Sequence, residues 1–139
     1  MRRIFAISMA LALGTGQAWA AGPCNSPLSD TELATTLNGH WACQVPEWNE
    51  QHTGVGAATS GNIVDYKKGP HDPVDPSTTV GTYSIAKVNG KGVVTYAYGP
   101  PGSSTFSYNV QNISGNSYSF CQITPGNVVL TITVQNTHC

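Results

Sequence analysis

The sequence predicts an all-β domain: an antiparallel meander of about seven or eight short strands that closes into a small barrel or curled sheet, preceded by one short helix. Three observations carry that reading. Apolar residues recur at every second position in short runs from His40 to Gln135, bounded by turns rich in Gly, Pro, Asn and Ser. The connections are mostly about two to six residues long, which suits antiparallel neighbours and not helical crossovers. No helical period long enough for a crossover follows residue 38. A meander of this length leaves bare sheet edges unless it closes or folds over itself.

The elements follow in order. Residues 1–20, MRRIFAISMALALGTGQAWA, hold two arginines, an apolar run and a small-residue A-x-A end, the pattern of a cleavable export signal. The apolar run, Ile4 to Leu13, is shorter than the roughly 20 residues a membrane-spanning helix needs. Cleavage after Ala20 leaves a single secreted domain, residues 21–139, of about 119 residues. Pro23 before Cys24 argues for soluble export over a lipid anchor. Residues 21–28 are an irregular arm. In SDTELATTL, Ser29 and Glu32 have capping-box spacing, Leu28, Leu33 and Leu37 share one side, and Asn38-Gly39 ends the helix.

From His40 the period becomes two, with Trp41, Cys43 and Val45 predicted on one face and His40, Ala42 and Gln44 on the other. Trp41 is the expected plug of the core. EWNEQHT, NIVDY, TVGTYSIAKV, GVVTYAYG, TFSYNV, SYSFCQI and VVLTITVQ are the further strands. Asn89-Gly90 is a two-residue hairpin turn. KKGPHDPVDPST has too many prolines for a central strand and reads as a stiff loop.

All four cysteines, Cys24, Cys43, Cys121 and Cys139, lie in the exported part, so two disulfides are expected. Four cysteines permit three pairings. Cys24–Cys43 and Cys121–Cys139 are favoured because each ties a chain end to a nearby strand. No C-x-x-C pair and no two histidines at i, i+4 argue for zinc, and no cofactor motif is present. Both arginines leave with the signal, and Lys67, Lys68, Lys87 and Lys91 face seven acids. That acidic balance excludes a phosphate-clamping surface for nucleic acid and disfavours anionic membranes.

The stretch LNGHWACQ, residues 37–44, with a helix before it and a meander after it, resembles the opening of the calycin-type barrels: lipocalins, avidins and small bacterial inhibitors of secreted metalloproteases. The resemblance rests on Leu37-x-Gly39-x-Trp41. It implies a barrel entered closely at the glycine, plugged by the tryptophan, and used to bind without catalysis. In size, export signal, cysteine pinning and Tyr/Ser-rich strands the chain is also similar to periplasmic inhibitors of lysozyme.

Catalytic sets are sparse. No G-x-S-x-G elbow is present, and paired cysteines are not nucleophiles. Glu47 with Glu50, and Asp72 with Asp75, are neighbouring carboxylates, but neither pair alternates on one strand face beside an aromatic platform. Asp65, His71, Asp72 and Asp75 have oxygen-rich chemistry that suits calcium, yet their spacing fits no EF-hand loop, and the D-P steps read as turns. Tyr96, Tyr98, Phe106, Tyr108, Tyr118 and Phe120 fall on matching faces of three strands and read as core with hydroxyls toward a rim. The expected function is therefore an exported, periplasmic or extracellular, non-catalytic barrel that carries a small ligand or glycan, or inhibits an exported hydrolase. The candidate binding residues are Trp48, His71, Asp72, Tyr98, Ser103 and Ser104, with residues 69–78 and 99–105 as contact loops. The alternatives are a small glycan-acting hydrolase using Glu47, Glu50 or Asp65, and a structural envelope protein.

Overall fold

The computed structural model describes residues 24–44, 48–65, 78–101 and 103–139. The export signal, Val45 to Glu47 and the proline-rich loop lie outside these residues. Helix α1 (Asp30–Leu37) is followed by eight strands: β1 (Trp41–Gln44), β2 (Trp48–His52), β3 (Ser60–Asp65), β4 (Thr78–Val88), β5 (Lys91–Tyr98), β6 (Ser104–Ser114), β7 (Ser117–Thr124) and β8 (Val129–Gln135). Every sequential pair is antiparallel, and β1 also pairs with β8 through Ala42↔Val134, so the barrel is closed. Closure removes the free edges that an open meander would expose.

Local chemistry explains the element ends. Ser29 Oγ accepts from the Glu32 amide at 3.3 Å while Glu32 accepts from the Ser29 amide at 2.8 Å, a complete capping box. The chain leaves α1 through Gly39, at φ 75°, where a side chain would be strained. Asn89 and Gly90 both have positive φ, 51° and 78°, as the tight β4–β5 hairpin requires.

Helix α1 closes one end of the barrel. Leu33 and Leu37 are fully buried and share a core with Ile85, Val94, Val110, Phe120 and Ile132. Burial of each leucine contributes about 1.5–3 kcal/mol. The last β5–β6 pair toward this end is Val94↔Tyr108. Beyond it Leu28 inserts between the strands, donating to the Val110 carbonyl at 2.8 Å and accepting from the Gly92 amide at 2.9 Å. Gly92 is required there, because a Cβ would lie 2.7 Å from the Ser29 carbonyl oxygen. Asn38 seals the same end. Its amide donates to the Gly56 and Ala58 carbonyls at 2.7 and 2.8 Å, and its oxygen accepts from the buried Tyr83 hydroxyl.

Two sequence expectations are corrected. The disulfides are Cys24–Cys121 and Cys43–Cys139, not Cys24–Cys43 and Cys121–Cys139. The N-terminal arm runs across β6 and β7 before it reaches α1, with Ser26 donating to Gln111, so its cysteine meets the outer face of β7. The C-terminal tail folds back over β1 instead of β7, and the Cys139 amide donates to the Asn49 side chain at 3.1 Å. Trp41 is likewise not the core plug. Ala42 is the β1 residue in the core, and its register partner Val134 is too. Trp41 and Cys43 therefore face outward, where the tail covers them: the Trp41 and His138 rings meet edge-on at 6.0 Å beside the Cys43–Cys139 bond. The plug is supplied by α1.

Candidate functional site

The end opposite α1 is built by the finish of β1, β3, β5 and β7 and the start of β2, β4, β6 and β8. Period-two alternation decides what points into it. On β2 the inward residues are Trp48, Glu50 and His52, leaving Asn49 and Gln51 outside. On β5 they are Val94, Tyr96 and Tyr98, and on β6 Phe106, Tyr108 and Val110. Asp65 alternates with buried Ile63 on β3 and is the register partner of Glu50. The interior thus grades from aliphatic beside α1, through tyrosine and histidine at mid-height, to aromatic and acidic at the mouth.

The aromatic rings form a continuous chain. Tyr96 stacks on Tyr98 at 6.3 Å and meets Tyr108 edge-on at 5.9 Å, Tyr98 meets Phe106 at 6.1 Å, and Tyr108 meets Phe120 at 6.1 Å. The inward placement answers the question of the aromatic stripe: it is core, with half-buried rings at its mouth end and Tyr118 half-buried at the helix end. Tyr83, Tyr96 and Phe120 are almost fully buried, whereas Trp48, Tyr98 and Phe106 are half-buried at the top of that packed floor.

Polar groups are set into this apolar frame. The Tyr98 hydroxyl donates to Glu50 Oε2 at 2.9 Å, and Glu50 is only 8% exposed. Burial pushes the Tyr98 phenol far up, and the Glu50 charge and hydrogen bond add to that. The same carboxylate, after burial, raises Tyr96 and Tyr108. One level down, His52 Nε2 bonds the Tyr96 hydroxyl at 2.9 Å and its ring meets Tyr83 edge-on at 4.8 Å. Burial holds its pKa down to about 4, with the His40 backbone working the other way, so the imidazole is neutral at pH 7.

The predicted binding residues divide. Trp48, at the start of β2, and Tyr98, at the finish of β5, both stand at the mouth end and pack against the core. Ser103 and Ser104 are exposed on the β5–β6 connection at the same end, and the Ser103 hydroxyl closes its own turn by donating to the Tyr98 and Pro100 carbonyls at 3.0 and 2.7 Å. His71 and Asp72, like Glu47 and Asp75, lie outside the described residues. Glu50, Asp65 and Phe106 join the site in the structure. The sequence names Glu50 and Asp65 separately as hydrolase candidates and pairs only carboxylates near each other in the chain; the register of β2 on β3 sets Glu50 opposite Asp65. Among the described residues no group of three or more metal-ligating side chains gathers, and no helix is long and apolar enough to cross a membrane. A surface groove of about 440 Å³ lies at the other end, lined by Thr35, His40, Asn116, Tyr118 and Gln135.

Fold and site define a class: a disulfide-pinned, eight-stranded antiparallel barrel, plugged by a helix at one end and carrying aromatic and acidic residues at the other. Comparisons of the chain with protein-family models, with curated proteins and with solved structures give no match.

Proposed function

We propose that this chain is an exported, non-catalytic binding protein whose mouth receives its ligand. The observation that carries this reading is the placement of three half-buried rings, Trp48, Tyr98 and Phe106, above a floor that Tyr83, Tyr96 and Phe120 fill. Half-buried aromatics with a few fixed polar groups are the usual lining of a recognition site. The filled floor favours a shallow site over a deep carrier cavity, since an eight-stranded barrel has just enough interior for side chains. The β5–β6 connection stands at the same rim and is available to an incoming partner. Two disulfides fit the oxidising compartment that the export signal implies.

The test is affinity capture from envelope extract with the purified exported protein, wild type against Trp48→Ala/Phe106→Ala. A ligand or exported enzyme retained by the wild type and lost by the variant supports the reading. Equal retention by both refutes the mouth as the site.

The Glu50–Asp65 register pair favours one further reading, hydrolysis of a glycan by two carboxylates. Release of a reducing end from peptidoglycan by wild type but not by Glu50→Gln would establish it; equal background from both would dismiss it.

A further inference from the structure

We infer that the groove at the helix end is a second binding site, one that takes a neutral sugar residue with its ring against Tyr118 and its hydroxyls on His40 and the Asn116, Gln135 and Asn136 amides. It is distinct from the mouth, which lies at the opposite end of the barrel.

Position supplies the first support. The groove, about 440 Å³, lies where the end of α1 (Thr35 and Thr36) passes the entry to β1, the β6–β7 hairpin and the end of β8. That volume falls within the roughly 300–1,000 Å³ of small-ligand sites. Its walls are fixed by the barrel itself. The Val134 amide donates to the Asn116 carbonyl at 2.9 Å, and Val134 is the register partner of Ala42 on β1. Asn112 Nδ2 braces the hairpin by donating to the Gly115 carbonyl at 2.9 Å. A wall already in place loses little entropy on binding.

The lining supplies the second support. Tyr118 is half-buried and packs against the core, so its ring is a fixed apolar platform. Uncharged hydrogen-bonding groups surround it. His40 Nδ1 lies 2.8 Å from the Asn38 carbonyl. A carbonyl only accepts, so Nδ1 donates there and Nε2 is the ring nitrogen left for a ligand. Gln135 Nε2 donates to the Thr137 carbonyl at 3.0 Å, which orients the amide and leaves its oxygen to accept. Asn116 and Asn136 are exposed, and each amide can both donate and accept.

Charge supplies the third. No Lys, Arg, Asp or Glu lines the groove. A phosphate or carboxylate ligand finds no cation there, and an ammonium ligand finds no carboxylate. A wholly apolar ligand would strip water from the amides and return no hydrogen bond. A sugar residue meets both demands, with an apolar ring face for the platform and hydroxyls that donate and accept.

The isotopically labelled exported protein is titrated with maltotriose and, separately, with triacetylchitotriose. The readout is the NMR signals of Asn116, Tyr118 and Gln135, side-chain amides included, with Trp48 and Phe106 as reporters of the mouth. At least one trisaccharide is expected to move the groove signals saturably and leave the mouth signals in place. Asn116→Ala removes an exposed side chain but keeps the carbonyl that Val134 bonds, and is expected to weaken binding about three- to tenfold. Tyr118→Leu keeps an apolar side chain against the core but removes the platform, and is expected to weaken it by at least about tenfold. The Asn116 variant keeps the test open if the core does not accept leucine. Absence of saturable groove shifts with both trisaccharides overturns the inference. So does binding that Asn116→Ala leaves unchanged. Saturation confined to Trp48 and Phe106 overturns the groove and leaves the mouth reading standing.

Discussion

His52 makes the stability of this barrel pH-dependent. The imidazole is 1% exposed, bonded to Tyr96 and packed against Tyr83, and its pKa falls from 6.5 to about 4. A base with a lowered folded pKa binds fewer protons folded than unfolded between those two values. Stability is therefore complete above pH 6.5, falls as pH drops through that window, and stops falling near pH 4. At about 1.4 kcal/mol for each pH unit between the two values, the loss is about 3 kcal/mol. Urea denaturation at pH 7.5, 6.5, 5.5 and 4.5 measures it. The comparison is the double variant His52→Phe/Tyr96→Phe, which removes both hydrogen-bonding partners together and so orphans neither. Its midpoint is expected to vary far less across the same range. Equal pH slopes for wild type and double variant would refute the assignment, because no other group removed in that variant titrates there.

Non-reducing peptide mapping is expected to recover Cys24 linked to Cys121 and Cys43 linked to Cys139; any other linkage contradicts the path of both tails. Each bond closes a loop of nearly a hundred residues, with separations of 97 and 96, so removing either pair to serine is expected to cost about 4–5 kcal/mol in the chain-entropy model, read by urea midpoint. Gly92→Ala drives a Cβ toward the Ser29 carbonyl and is expected to cost about 1–3 kcal/mol in thermal denaturation, with α1 losing hydrogen-exchange protection first. Tyr98→Phe keeps the ring but takes a donor from the buried Glu50, and a loss of about 1.5–3 kcal/mol is expected in the same assay; a neutral effect would mean that Glu50 draws no net stability from that bond.

Local rules made much of the architecture legible. The capping box, the Asn89-Gly90 hairpin and the period-two runs are decided within a few residues, and strand count, helix and turn positions follow from them. Closure followed from the need to hide edges. What failed was non-local. Alternation separates Trp41 from Ala42 but does not say which face is inside; the answer lies in Val134 and in a C-terminal tail that covers the outer side of β1. Disulfide pairing failed for the same reason, since proximity in the chain says nothing about where two tails cross a closed barrel. β2 defeats hydrophobic patterning outright. In WNEQH the inward positions are Trp48, Glu50 and His52, and the outward ones are Asn49 and Gln51, so both faces read as polar. The strand-end positions of Trp48 and Tyr98 were legible in the runs that contain them. Glu50 opposite Asp65 was not, because it depends on the register of β2 on β3.

That register also explains why polar groups are retained in so small a core. An interior filled only with aliphatic residues would be simpler to stabilise, since each buried hydroxyl, imidazole and carboxylate requires a partner. Here partners are found in sequence along the axis: Asn38 with Tyr83 at the helix end, His52 with Tyr96 at mid-height, Glu50 with Tyr98 near the mouth. The first two are closed off by α1 and by the surrounding rings, so their role is to fix strand register and ring orientation. The third is the one set beside half-exposed aromatics, and its carboxylate faces a second across the wall. The structural demand for satisfied tyrosines accounts for the hydroxyl of Tyr98.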